Sequence, residues 1–190
     1  TDAAERVKIQ YGTSMCYPVS SMGSHVSVVP NHQLNRKTPL HTRANVAYFG
    51  TFGYELDLNK LSDEEISEVK QQITFMKEYR ELIQFGTFYR LKSPFEGNET
   101  AWMTVSEDKK TALVFWYRER NVVNADFTRV RLQGLDPDLI YRNEYNGTEN
   151  YGDELMNLGL LTTDCTAGEP TSEDEPCTDY ESRIYVLTAK

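Results

Sequence analysis

The sequence predicts an α/β segment followed by an all-β segment. Up to residue 86, stretches with helical periodicity alternate with short β-rich runs, which is the pattern of parallel α/β units. After Gly86 six β-rich runs follow, separated by turn signals such as Asp136-Pro137-Asp138 and Asn146-Gly147. The change of pattern after Gly86 predicts two segments of different architecture.

The first predicted helix begins at Asp2, which forms a capping box with Glu5 three residues later, and ends at Gly12. Apolar residues recur at helical spacing between these ends: Ala4, Val7 and Tyr11. Because the sequence begins directly on a helix cap, we expect it to be part of a longer chain whose amino-terminal part is missing here.

Residues 15–19 form a short apolar run that predicts a fully buried strand. The polar stretch at 22–33 follows it and contains His25 and His32, two of the three histidines. In barrels of alternating strands and helices, the carboxyl ends of the strands carry the active site. The alternative is a loop whose polar side chains satisfy one another: Ser24, Ser27, Asn31 and Gln33.

A second helix is predicted with Thr38 as its cap and Pro39 at its first position, and residues 40–49 carry its mixed helical face. Residues 52–58 then alternate as a strand and place Glu55 and Asp57 on one face. Two carboxylates on one face are candidates for an acid and base pair, but the two members of such pairs come from different strands in most retaining glycosidases, which favours the alternative of a polar, hydrogen-bonded barrel interior or rim.

The longest predicted helix is capped by Ser62, with Glu65 completing a capping box, and ends at Gly86. Its apolar stripe predicts an outer helix packed on a sheet. The acidic residues of its first turn indicate a solvated helix start favoured by the helix dipole, and not a metal site.

The β-rich runs cover residues 87–91, 101–106, 111–120, 127–132, 140–145 and 180–188 and predict an antiparallel unit. Alternation over 128–132 predicts that arginines lie on one face and apolar residues on the other. Residues 162–179 are interpreted as a surface loop without chemistry. Four aromatic residues predict either core packing or a sugar-stacking platform: Trp102, Phe115, Trp116 and Tyr117.

Composition excludes several classes of function. The formal charge of −9 and the pI of about 4.9 argue against binding to nucleic acids or anionic membranes, and the apolar runs are too short to span a bilayer. Cys16, Cys165 and Cys177 show no CxxC spacing, which favours a reducing, cytoplasmic compartment, although a bridge between Cys165 and Cys177 remains an alternative. No metal or cofactor site is predicted.

A series of motifs through residue 160 resembles one known family. In chain order they lie at residues 2–14, 17–18, 22–27, 30–33, 52–58, 80–84, 93–102 and 152–157. Taken together they resemble the bacterial α-galactosidases of glycoside hydrolase family 36. The resemblance implies the last units of a TIM (β/α)8 barrel over residues 1–91 and a carboxyl-terminal antiparallel β-sandwich domain over residues 92–190.

The resemblance also implies a retaining exo-α-galactosidase that hydrolyses terminal α-linked galactose in raffinose- or melibiose-type oligosaccharides. In that family the nucleophile is the Asp of a Lys-Trp-Asp motif. The acid/base is the first Asp of a Ser-Asp-x-Thr-Asp motif, which this chain enters only at Thr1-Asp2. We therefore expect both catalytic carboxylates to precede residue 1 and the chain by itself to be inactive.

The implied partners are a galacto-oligosaccharide, the missing amino-terminal part of the same chain and further copies in a homo-oligomer. His25 is the candidate for contact with the sugar, with a structural hydrogen bond at the barrel rim as the alternative. His32 is a weaker candidate, and His41 is predicted to lie on a helix surface. The other hypothesis for the whole chain is a free-standing β-rich carbohydrate-binding or interaction module.

Overall fold

The computed structural model describes residues 1–122, 127–162 and 179–190. It divides into two compact units, Thr1–Gly86 and Thr87–Lys190. This boundary differs from the one predicted at residue 91. The reason is strand β3, Thr87–Lys92, which pairs with strand β4, Glu99–Val105, and so belongs to the second unit's sheet.

The first unit alternates helices with parallel strands. Its elements are α1 (Ala3–Thr13), β1 (Val26–Ser27), α2 (Leu40–Ala47), β2 (Tyr54–Glu55) and α3 (Asp63–Phe85). β1 and β2 pair in parallel, with Val26 opposite Tyr54 and Ser27 opposite Glu55. The predicted α/β character of this segment is therefore confirmed.

The helix starts follow the predicted caps closely. The Asp2 carboxylate accepts a hydrogen bond from the Glu5 amide, and Ser62 and Glu65 form the predicted reciprocal box. α2 begins one residue later than predicted, at Leu40, so that Pro39 and not Thr38 takes the cap position.

The buried strand predicted over residues 15–19 is wrong. The chain continues from α1 in turns, in which the Cys16 and Tyr17 amides both donate to the Thr13 carbonyl, and Met15 and Tyr17 are 60% and 62% exposed. The strand of this region is β1, whose Val26 is completely buried. A short apolar run without a period does not by itself distinguish a strand from a turn.

The strand predicted over residues 52–58 is shorter than expected. Only Tyr54–Glu55 pairs, and Asp57 begins a 3₁₀ turn over Leu58–Lys60.

The second unit is an antiparallel β unit, as predicted. After β3 and β4, its elements are β5 (Thr111–Arg118), β6 (Arg129–Val130), β7 (Ile140–Asn143), β8 (Glu149–Tyr151), α4 (Gly152–Asn157), β9 (Leu160–Leu161) and β10 (Glu181–Ala189). The large sheet has the order β3-β4-β5-β10-β7-β8, and β6 pairs with β9 in a separate ribbon. β8, α4 and β9 are additions to the predicted runs.

A hydrophobic core lies between one face of the large sheet and the ribbon with α4. Alternate residues of β4 and β5 supply the sheet side of this core, because successive side chains of a strand point to opposite faces. The predicted alternation over residues 128–132 is confirmed, since Val130 and Leu132 are buried while Arg129 and Arg131 are exposed. The main members of the core are Met103, Val114, Trp116, Val130, Leu132, Tyr141, Leu155, Leu160, Tyr185 and Leu187.

Some sequence predictions fall on residues that the structure does not describe. The predicted surface loop at 162–179 lies outside the described residues except for its two ends, and so do Cys165 and Cys177. Cys16 carries an exposed free thiol. Within the described ranges, no helix is long and apolar enough to cross a bilayer.

Candidate functional site

The pairing of β1 with β2 decides which side chains share a face. Val26 lies opposite Tyr54, whose hydroxyl donates to the Gln72 side chain of α3 at 2.8 Å, so these two residues face the helices. Side chains alternate along a strand, so Ser27 and Glu55 point to the other face. This face, turned away from α3, is where the candidate site residues meet.

His25 lies just before β1 and is held between two charged side chains. An Arg6 terminal nitrogen lies 2.8 Å from His25 Nε2 and 3.2 Å from Nδ1, and Glu55 Oε2 lies 2.5 Å from Nε2. The other Arg6 terminal nitrogen donates to the Gly23 carbonyl at 3.2 Å. Because Nε2 carries either a proton or a lone pair, it can donate to Glu55 or accept from Arg6 but not both at once.

The surroundings favour a neutral His25 ring. Burial lowers the pKa of His25 most, the positive charge of Arg6 lowers it further, and Glu55 opposes them by raising it. Burial likewise lowers the pKa of Arg6, with Glu55 acting in the opposite direction. A neutral imidazole beside a guanidinium can act as a hydrogen-bond acceptor, which is a positioning role.

The structure places His25 differently from the sequence prediction. It precedes the strand instead of following it, its side chain is 29% exposed, and both its neighbours belong to the same unit. These contacts match the structural alternative. Contact between His25 and a sugar stays a prediction.

Glu55 and Asp57, the candidate acid and base pair, have different partners. Glu55 contacts His25 and is 69% exposed, whereas the Asp57 carboxylate accepts from the Asn59 amide at 3.1 Å and from its side chain at 3.0 Å. Asp57 is therefore used to start a turn. This arrangement favours the polar rim over a catalytic pair.

Two serines of the polar stretch over residues 22–33 bond to backbone groups outside the stretch. Ser24 Oγ donates to the Ala47 carbonyl at 2.6 Å and accepts from the Phe52 amide at 3.0 Å, so it connects the segment to α2 and to the start of β2. Ser27 Oγ donates to the Thr1 carbonyl at 3.0 Å. His41 lies on the exposed surface of α2, as predicted.

Sequence reasoning missed two arginines at this site, Arg6 and Arg36. The Arg36 guanidinium binds both carboxylate oxygens of Asp2, at 3.0 and 2.8 Å, although the sequence assigned Asp2 only a capping role. A signal for Arg6 was present, because positions 3, 6, 7 and 10 form one helical face and all four are buried. A charged residue on a buried face predicts a specific partner.

The sugar-stacking platform proposed for the second unit is wrong. Trp102, Phe115, Trp116 and Tyr117 are each at most 2% exposed, and Trp102 stacks on Phe115 with ring centroids 4.3 Å apart. Rings without an exposed face cannot receive a sugar, so these residues are core.

No metal site is found in the part of the chain that the structure describes. No three His, Cys, Asp or Glu side chains of that part lie close enough together to hold an ion. Among the described residues, the chemistry of the site is therefore that of Arg6, His25, Glu55 and the Asp2–Arg36 pair.

Comparison with known families gives two matches in succession. The Melibiase family model matches residues 1–86, and the model of the glycosyl hydrolase family 36 C-terminal domain matches residues 99–187.

Similar proteins and structures agree with these matches. The chain is 55% identical to alpha-galactosidase AgaA of Geobacillus stearothermophilus over 160 residues, which are 84% of this chain and 22% of AgaA. It is 46% identical to alpha-galactosidase 1 of Pediococcus pentosaceus over 189 residues, or 100% of this chain and 24% of that protein. A crystal structure of an AgaA variant in complex with raffinose superposes with a TM-score of 0.91 at 48% identity, covering 100% of this chain and 25% of that one. The chain thus spans a quarter or less of the length of these relatives.

Proposed function

Because this chain belongs to glycoside hydrolase family 36, we propose that it is part of a retaining exo-α-galactosidase that removes terminal α-linked galactose from raffinose- and melibiose-type oligosaccharides. The observation that carries the proposal is the succession of the two family matches along nearly the whole chain, with the fold of solved α-galactosidases at a TM-score of 0.90 or above. One such relative is a variant crystallised with raffinose and another a variant crystallised with stachyose, which supports an α-galactosyl oligosaccharide as the substrate.

Retention requires two carboxyl groups about 5 Å apart, one attacking the anomeric carbon and the other protonating the leaving oxygen. In this chain the carboxylates of the first unit's site already have bonding partners: Asp2 binds Arg36, Glu55 binds His25, and Asp57 starts a turn. We therefore place the nucleophile and the acid/base in protein that precedes residue 1. Residues 1–86 then contribute the closing part of a barrel and the loops at its rim.

Within this proposal the Arg6–His25–Glu55 cluster lies on the barrel-interior face of β1 and β2, which is turned away from α3 and which Arg6 reaches from α1. Interior layers of such barrels are filled mainly by branched apolar side chains, so a charged cluster there marks the layer nearest the site. His25 then acts by holding Arg6 and Glu55 in place below the sugar. Direct contact of His25 with galactose is the alternative form of this role.

The proposal is tested by activity and stereochemistry. The full-length protein should hydrolyse an aryl α-galactoside and raffinose, and proton NMR should detect α-galactose as the first product, because two inversions retain the anomeric configuration. Initial formation of β-galactose would refute retention. The 190-residue chain alone should show no turnover, and activity that persisted through further chromatography would instead locate the carboxyl pair inside this chain.

The proposed setting is a reducing, cytoplasmic compartment and a homo-oligomer. The exposed free thiol of Cys16 supports a reducing environment. Exposed apolar side chains of the first unit, among them Ile9, Met15 and Tyr17, support burial against other protein. Light scattering of the full-length protein tests the second point, and a monomer at micromolar concentration would refute it.

A further inference from the structure

The loop between β1 and α2, residues 28–39, follows the carboxyl end of a parallel strand. In barrels of α/β units, the loops at this end of the strands form the substrate site. This inference rests on the proposed function, because only a barrel enzyme gives that edge a substrate. The question is then which substrate group the β1–α2 loop contacts.

A buried ion pair connects the β1–α2 loop to the start of α1. The Asp2 side chain is 2% exposed and the Arg36 side chain 21%, and the same Asp2 oxygen that binds Arg36 also caps the Glu5 amide. Such a pair adds little net stability compared with apolar packing, but its directional hydrogen bonds fix where the two segments lie. The β1–α2 loop is therefore held in one position.

Hydrogen bonds within the β1–α2 loop also stabilise its conformation. Asn31 Oδ1 accepts hydrogen bonds from the Gln33 and Leu34 amides, both at 3.0 Å, and the Asn31 amide donates to the Arg36 carbonyl at 2.9 Å. The Asn35 amide donates to the Asn31 carbonyl at 2.8 Å. These bonds give the loop a defined shape although it is neither helix nor strand.

The braced loop presents side chains outward. His32 and Gln33 are exposed, and within the described residues neither side chain makes a hydrogen bond or ion pair. Val28 and Leu34 beside them are 52% and 55% exposed. A combination of polar donors and acceptors with small apolar surfaces suits a sugar, which has hydroxyl edges and C–H faces. His25 differs, because its ring is already engaged by Arg6 and Glu55.

We propose that the β1–α2 loop contacts the leaving-group part of the substrate, and that His32 and Gln33 determine the preference between leaving groups. An exo-acting enzyme encloses the terminal galactose, so exposed side chains at the rim meet whatever follows the galactose. For raffinose this is a hydroxyl-rich disaccharide, whereas for an aryl galactoside it is an aromatic ring with few hydrogen-bonding groups.

The test compares two substrates in the full-length protein. In His32→Ala and Gln33→Ala, the ratio of kcat/KM for raffinose to kcat/KM for an aryl α-galactoside should fall about five- to tenfold. His41→Ala and Gln71→Ala, at exposed positions of α2 and α3, serve as matched controls and should keep the wild-type ratio. A wild-type ratio in both loop variants would overturn the proposal.

A third variant tests the brace. Arg36→Met keeps much of the side chain's length but leaves Asp2 buried without its partner, so the substrate ratio should fall as in His32→Ala and the melting temperature should also fall. Arg36→Lys, which keeps the charge, should recover part of the ratio. A lower melting temperature with a wild-type ratio would show that the Asp2–Arg36 pair does not position the loop for the substrate.

A full-length wild type that hydrolyses neither substrate would refute the proposed function itself, whereas an active enzyme with unchanged ratios refutes only this inference.

Discussion

The contacts inside the first unit differ in kind from the contacts inside the second unit. In the second unit, β5 and β10 pair from Arg118–Glu181 to Thr111–Thr188, and apolar and aromatic residues fill the space against the ribbon and α4. In the first unit the two strands pair over two residues each, and the buried set includes many polar side chains. These polar residues are Asp2, Arg6, Gln10, Ser14, Ser24, Asn31, Thr38, Thr42, Arg43 and Gln72.

The second unit is stabilised mainly by buried apolar area, whereas buried polar residues in the first unit fix the positions of their neighbours. Apolar burial stabilises in proportion to area and tolerates modest changes of shape. A buried charge is tolerated only with a matched partner, so each such residue fixes a neighbour in place. Among the described residues the first unit buries three charged side chains, Asp2, Arg6 and Arg43, and the second unit one, Arg118. The unit with more buried charges is the one that we place at the sugar site, where positions matter most.

The largest expected effect is in the second unit's core. Trp116→Ala should lower the free energy of unfolding by about 4 kcal/mol, because Trp116 is completely buried and the arginines Arg118 and Arg183 flank its ring at 5.5 and 5.8 Å. Val26→Ala, at a completely buried position of β1, should cost about 2 kcal/mol. Denaturant unfolding measures both values.

Two spectroscopic signals follow the unfolding of the two units separately. Both tryptophans of the chain, Trp102 and Trp116, lie in the second unit, so tryptophan fluorescence follows that unit, while far-UV circular dichroism is dominated by the helices of the first. Equal losses for Trp116→Ala and Val26→Ala would contradict the view that the second unit depends more on buried area.

Replacing one glycine in each unit by alanine, Gly152 in the second and Gly50 in the first, tests how closely the surrounding atoms pack. A Cβ at Gly152 would overlap the Asp136 carbonyl, which is backbone and cannot move alone, so Gly152→Ala should cost about 3 kcal/mol. At Gly50 the overlap is with the side chain of Ser24 and the Met22 carbonyl, and about 2 kcal/mol is expected.

Gly97→Ala is the control for both substitutions, because a Cβ there meets nothing within 4 Å. Melting temperatures of the three variants give the ranking. If Gly97→Ala were as damaging as Gly152→Ala, backbone conformation and not packing would be the cause.

The sequence predicted helices better than short strands. α3 was predicted at both ends because its capping box and Gly86 are local signals, and local signals are readable without neighbours. β1 was missed because a strand of two residues is too short to show an alternating pattern of apolar and polar residues. Its burial also depends on contacts with β2 and α2, which lie later in the chain.

The candidate site was predicted only in part, for a similar reason. His25 was identified as a residue of interest, but its partners Arg6 and Glu55 are 19 and 30 positions away, and only the pairing of β1 with β2 brings Glu55 to it. The aromatic residues of β4 and β5 were interpreted with both alternatives open, because a strand pattern shows which side chains share a face but not whether that face is covered. The family resemblance, in contrast, needed only the order of the motifs.

His25→Gln in the full-length protein tests whether the charged cluster is structural. Glutamine keeps a hydrogen-bonding group but cannot bridge Arg6 and Glu55 in the same way, so we expect a loss of about 1 kcal/mol in the free energy of unfolding. Kinetic constants for α-galactosides should change less than tenfold. A tenfold loss of kcat/KM at an unchanged melting temperature would show instead that His25 contacts the sugar.

The smallest expected effect is the dependence of that loss on pH. Burial and Arg6 lower the pKa of His25 in the folded state, so the unfolded chain binds the proton more readily. The stability due to neutral His25 is therefore fully present above the unfolded pKa of about 6.5 and declines as the pH falls towards the lower folded-state pKa. The difference in free energy of unfolding between the wild type and His25→Gln should shrink between pH 7.5 and pH 5.5, while the difference for the control His41→Gln should not follow this trend. A difference that grew as the pH fell would mean that Glu55 outweighs Arg6 and that the folded protein holds His25 protonated.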